Sequence, residues 1–121
     1  MSEGSQRKLR KKYFKIKLGV NMKAYMLVRA VIHDREKFVN GYGVEAAKLV
    51  DKFGGKYLIR APGALALEGI DDKNNSVVIS EWPSKEAAEN FWNSNEYQEV
   101  KKLREGIADC YVLVIESDSL S

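Results

Sequence analysis

An α+β domain is predicted by three features of this sequence. Period-two apolar patterns alternate with two amphipathic helical patterns in the order strand, helix, strand, strand, helix, strand. Glycine or proline stands at several of the junctions, at Gly54-Gly55, Pro62-Gly63 and Pro83. With 121 residues, 45% of them hydrophobic, the chain can build one cooperative core but not two.

Taken in order, residues 24–32 alternate, with Met26, Val28, Ala30 and Ile32 on one wholly apolar face and Tyr25, Leu27, Arg29 and Val31 on the other. Asp34 suits a helix N-cap. Beyond it Phe38, Tyr42, Ala46, Leu49 and Phe53 recur at spacings of three and four, up to a stop at Gly54-Gly55. Gly41 and Gly43 fall inside that helix, each costing about 1 kcal/mol against alanine, which predicts a kink or a close approach there. A second strand over 56–60 meets Ala61-Pro62-Gly63 and is expected to resume over 64–68 as a bent strand. Residues 71–75 form a polar turn, and 76–82 a strand rich in β-branched residues that Pro83 stops. Ser84 caps the next helix, which runs to about Asn93. Ser94-Asn95 interrupts it, a further helix from Glu96 presents Tyr97, Val100, Leu103 and Ile107, and a last strand covers 109–116. This is the ferredoxin-like β-α-β-β-α-β order: a four-stranded antiparallel sheet with its helices on one face.

The other face would carry Leu27, Val31, Leu58 and Ile79, an apolar surface too large to leave wet. A second copy of the sheet is the expected cover, which makes the expected assembly a homodimer closing a dimeric α/β barrel. The longest apolar runs, 77–79 and 111–115, fall far below the roughly 20 residues of a helical bilayer crossing. The expectation is a cytoplasmic protein. One cysteine, Cys110, and one histidine, His33, allow neither an internal disulfide nor a Cys/His metal cluster within one copy, and no cofactor is expected.

Charge is unevenly spread. Residues 1–22 hold seven basic residues against Glu3 alone, a net +6, so the chain's +3 leaves the remainder at −3. The expected organisation is a basic extension over 1–22, disordered or preceding a true start at Met22, then the barrel domain over 23–117 and a short tail over 118–121. The extension interleaves its charges with Leu9, Tyr13, Phe14, Ile16 and Leu18. Such a segment can contact nucleic acid, a membrane or a protein partner, but a targeting segment or an upstream stretch of no consequence is the preferred reading.

Several spaced motifs carry a resemblance. Gly54-Gly55-Lys56-Tyr57, Arg60, Leu67-Glu68-Gly69, Glu81-Trp82-Pro83-Ser84, Glu96-Tyr97-Gln98 and Arg104 resemble the signature of domain-of-unknown-function family 1330, over about residues 23–117. The resemblance implies the dimeric α/β barrel superfamily, which includes small cofactor-free monooxygenases, isomerases and haem-binding relatives. Trp92-Asn93-Ser94-Asn95-Glu96-Tyr97 departs from the family pattern, in which a Trp-Tyr pair precedes Ser-Pro-Glu-Tyr; Ser80 stands where an aliphatic residue is usual; and the basic segment before Met22 has no counterpart.

The candidate site follows from strand parity. Arg29, Arg60 and Glu81 alternate with the helix-packed residues and so are expected to point together into the barrel, with Glu68 joining them. Two arginines can hold a substrate carboxylate bidentately, and Glu81 or Glu68 can act as acid or base, since a carboxyl against apolar walls has its pKa raised. The structural alternative is an Arg60–Glu81 ion pair between neighbouring strands. Tyr97 and Trp82 would wall the pocket mouth, or else belong to the core. His33 has a carboxylate neighbour in Asp34, but Asp34 is engaged as a cap, and a strand-end histidine is a poor proximal haem ligand. Cys110 reads as a small buried hydrophobe rather than a nucleophile. Gly54-Gly55 follows a helix instead of opening one, the wrong context for a phosphate loop.

The expected function is a homodimeric barrel binding a small anionic or aromatic organic molecule in its interior. Glu81 and Glu68 are the catalytic candidates, and Arg29, Arg60, Tyr97, Trp82 and His33 the substrate-binding ones. Any reaction would be cofactor-independent, monooxygenase-like or isomerase-like. The alternative is a non-catalytic dimeric interaction module whose basic extension contacts nucleic acid, membrane or protein.

Overall fold

The computed structural model describes residues 22–69 and 73–117. The expectations for the basic extension, the C-terminal tail and the start of the 71–75 turn lie outside the described residues. The chain runs β1 (Lys23–Ile32), α1 (Arg35–Lys37), a π-helical turn (Phe38–Gly43), α2 (Val44–Lys52), β2 (Lys56–Pro62), β3 (Asn75–Trp82), α3 (Lys85–Asn93), α4 (Asn95–Lys101), a 3-10 turn (Lys102–Arg104) and β4 (Ala108–Ser117). The strands form one antiparallel sheet in the order β2-β3-β1-β4, the ferredoxin-like arrangement that the sequence predicts.

Local chemistry sets the helix limits. Asp34 Oδ1 accepts from Lys37 N at 3.1 Å, and Ser84 Oγ from Ala87 N at 3.0 Å. Ser94 ends one helix and starts the next: its Oγ–H donates to Phe91 O at 2.8 Å while the oxygen accepts from Tyr97 N at 3.1 Å. The irregularity predicted at Gly41 and Gly43 takes the form of the π-helical turn that contains both.

The core lies between the helices and one sheet face. Ala24, Met26, Val50, Trp82, Ala88, Phe91 and Tyr97 form its centre. Gly55 is required by this packing, because a Cβ there would sit 2.7 Å from the Trp82 ring. On the opposite sheet face Tyr111 and Leu113 on β4 stay 64% and 65% exposed, and Ile115 on the same strand and Ile59 on β2, at the other edge of the sheet, are exposed to a lesser degree.

One predicted element is absent. The strand does not resume over 64–68: Gly63 N and Ala64 N both donate to Asn75 O, at 2.9 and 3.0 Å, and the ladder ends there. Pro62 has no N–H with which to continue, and Gly63 turns the chain at φ +72°. The following residues 64–69 form an irregular loop with Leu67 92% exposed.

Candidate functional site

β2 decides where the charges point. Tyr57 pairs with Ser80 and Ile59 with Ile79, so an extra residue is accommodated at Leu58 and the side-chain alternation is reset. Arg60 therefore faces Val78 on the helix side of the sheet, which corrects the expectation that it joins Arg29 and Glu81. Parity arguments hold only for an unbulged strand. The Arg60 guanidinium lies over the Tyr57 ring, 4.7 Å from its centroid.

The other expected members of the site are also dispersed. Glu81 sits opposite Lys56 and Tyr25 and pairs with Lys23 Nζ at 3.2 Å, so the alternative Arg60–Glu81 bridge is not formed either. Arg29 lies four residues away along the ladder, about 13 Å, opposite Val77. Its Nε and Nη2 both donate to Asn75 Oδ1 at 3.4 Å, and its guanidinium lies over Tyr111. Arg29 and Glu68 do meet: with Leu65, Asn75 and Val77 they line a hollow of about 290 Å³. His33 Nε2 lies 2.9 Å from Asp109 Oδ2, not Asp34, in a solvent-exposed pair at the strand ends.

Trp82 is completely buried and cannot wall a pocket mouth; its Nε1 donates to Ser80 Oγ at 2.9 Å. That bond accounts for a serine where the family pattern has an aliphatic residue, since a buried indole N–H needs an acceptor. Tyr97 is equally a core residue, 2% exposed, with its hydroxyl 2.8 Å from that of Tyr42.

A larger concavity than the Arg29–Glu68 hollow lies under the helices. A groove of about 480 Å³ separates the π-helical turn and α2 from β2 and β3, walled by Phe38, Val39, Val44, Ala47, Tyr57 and Val78. Its volume falls within the range of small-molecule sites, roughly 300–1,000 Å³. Arg35, Lys48 and Arg60 are the charged residues lining it, and no carboxylate does. Arg35 Nη2 donates to Ser76 Oγ at 2.9 Å, and Lys48 pairs with Glu45 at 3.2 Å. Among the described residues Arg60 ion-pairs with no carboxylate. Sequence reasoning missed this groove, although Val39, Gly43 and Ala47 recur every four residues as a stripe too small to fill the space beside it.

Deeper lies a second cavity of about 60 Å³, bounded by Tyr42, Tyr97, Arg104, Cys110 and Ser80 and sharing Tyr57 and Val78 with the groove. Burial, then the neighbouring Tyr97 hydroxyl, pushes the Tyr42 phenol far above its ordinary value despite Arg104. Burial also raises the Cys110 thiol, with Arg104 opposing. Cys110 is thus a half-buried thiol whose surroundings disfavour the thiolate. Burial works against the Arg104 charge, but Tyr97, Cys110 and Tyr42 outweigh it and raise its pKa.

This architecture, with the helices of the described residues on one face of a four-stranded antiparallel β2-β3-β1-β4 sheet, is a ferredoxin-like α+β fold. The chain belongs to the family described as Domain of unknown function (DUF1330), whose model matches residues 23–118. Among solved structures it is similar to a protein of unknown function from Rhodopseudomonas palustris, with TM-score 0.67 and 19% identity over 88% of this chain and 92% of that one. It is also similar to SnoaB, a cofactor-independent oxygenase from Streptomyces nogalater, with TM-score 0.60 and 13% identity over 81% of this chain and 95% of that one. No curated protein matches it. No helix among the described residues is long and apolar enough to cross a membrane.

Proposed function

We propose that the protein binds a small, mainly apolar organic anion in the groove between the π-helical turn, α2 and β2. One observation carries this reading: the groove is apolar except for Ser76 and three basic side chains, and Arg60 reaches it without a carboxylate partner among the described residues. An aromatic ring or short aliphatic chain suits the walls, and a carboxylate suits the guanidinium. The likeness to a cofactor-independent oxygenase supports chemistry without a bound cofactor on such a molecule. The same reading includes a homodimer in which a second copy covers the exposed sheet face.

The test is calorimetry with a set of aromatic and aliphatic carboxylates and their matched amides. Saturable binding with a preference for the acids is expected, and Arg60→Gln reduces that preference about tenfold, the loss of one charge-assisted hydrogen bond. Binding of no member of the set, or an undiminished preference in Arg60→Gln, rules the reading out.

A second reading rests on the hollow that Arg29 and Glu68 share. If the partner copy covers that face, the hollow becomes the interior site expected from the sequence, with Glu68 as acid or base and Arg29 as anchor. Glu68→Gln would then abolish turnover while leaving binding in the groove intact.

A further inference from the structure

The inner cavity is lined by donors. The hydroxyls of Tyr42 and Tyr97 are 2.8 Å apart, so one donates to the other and the second proton finds no acceptor within the pair. Arg104 Nε is buried and has no hydrogen-bond partner among the described residues. No carboxylate lines the cavity, and none pairs with this guanidinium among the described residues. Its Cζ lies 5.4 Å from the centre of the Tyr42 ring, and hydrogen bonds to Tyr97 and Cys110 occupy other N–H groups of the guanidinium, which leaves Nε–H as its unpartnered donor. A buried donor with no acceptor is unfavourable by about 1–3 kcal/mol. Here such a donor, and the phenol pair with its spare proton, border one space of about 60 Å³, whereas a single water needs only about 10–15 Å³.

We propose that this cavity is a carboxylate subsite, holding the planar oxyanion between Arg104 Nε–H and the Tyr42–Tyr97 hydroxyl pair. The π-helical turn is what carries Tyr42 to this position, a local widening of the helix of the kind that recurs at functional sites. The carboxylate has two sources: a free small acid, or the inner end of a diacid whose body lies in the groove and passes Tyr57 and Val78, the residues common to both spaces. The second source rests on the groove reading; the subsite itself does not.

The test is proton–nitrogen NMR of the Arg104 Nε–H resonance in the full chain, titrated with sodium formate at constant ionic strength and, separately, with formamide. A saturable downfield shift with formate alone is expected, and Tyr42→Phe weakens formate binding about tenfold. An unmoved resonance, or an equal response to formamide, leaves water as the only occupant and overturns the proposal, as does unchanged formate affinity in Tyr42→Phe. The wild-type titration decides the matter even where that variant fails to fold. p-Phenylenediacetate identifies the source. Tighter binding than formate that Ala47→Trp cancels assigns the carboxylate to a groove-bound diacid; equal affinity in both proteins assigns it to a free acid and counts against the groove alone.

Discussion

Gly55 and Trp82 show how one residue's lack of a side chain settles another's position. The indole occupies the space a Cβ at residue 55 would need and is itself fully buried, so it has nowhere to retreat. Gly55→Ala is expected to destabilise the fold by about 1–3 kcal/mol, the usual cost of overpacking, read as a lower unfolding midpoint in urea. On the surface, the hydrogen bond from Lys52 Nζ, aided by its charge, holds the Glu96 carboxyl below its ordinary value. A carboxyl depressed in this way contributes stability above its unfolded pKa and loses it as pH falls through the folded one. In Lys52→Met the Glu96 midpoint, followed by carbon-13 NMR, is expected to rise to the ordinary glutamate range. Both side chains are exposed, so the change in overall stability is small.

At the level of elements, caps were the most legible signals and register the least. Asp34, Ser84 and Ser94 act through their own neighbours, within three residues, so residue type and spacing suffice to place them. Ser94→Ala removes the acceptor for Tyr97 N and the bond to Phe91 O, and a loss of about 1 kcal/mol is expected, measured as a lower melting temperature. The Leu58 bulge has no such local signature. It reflects the pairing of β2 with β3, two strands whose alignment depends on what packs across the sheet, and it alone moved Arg60 to the helix side. That one residue removed Arg60 from the candidate triad, and four residues of ladder separate its other two members, Arg29 and Glu81.

For the whole molecule, the sheet has one covered face and one uncovered. Tyr111, Leu113 and Ile115 on β4 and Ile59 on β2, at the two edges of the sheet, stay exposed on that face, and exposed apolar side chains grouped on one face mark an interaction surface. A dimer mass by light scattering at micromolar concentration is expected, and Leu113→Lys, which puts a charge among the exposed apolar side chains of β4, gives a monomer with an unchanged circular dichroism spectrum. A monomeric wild type would leave the second, interior reading of the site without a basis.

What this sequence determined by itself was the set of elements and the face each buries: the alternation of β1, the helical stripe ending at Gly54-Gly55, the break at Ser94-Asn95 and the irregularity at Gly41 and Gly43. These are local or periodic properties, written in residues a few positions apart. The tertiary structure alone decided which distant groups meet. His33 found Asp109, 76 residues away, rather than its neighbour Asp34; Tyr42 found the Tyr97 hydroxyl; and Arg60 found the groove. Side-chain direction in a strand has a period of two, so a single inserted residue reverses it, and no pattern within β2 records where its partner makes that insertion fit.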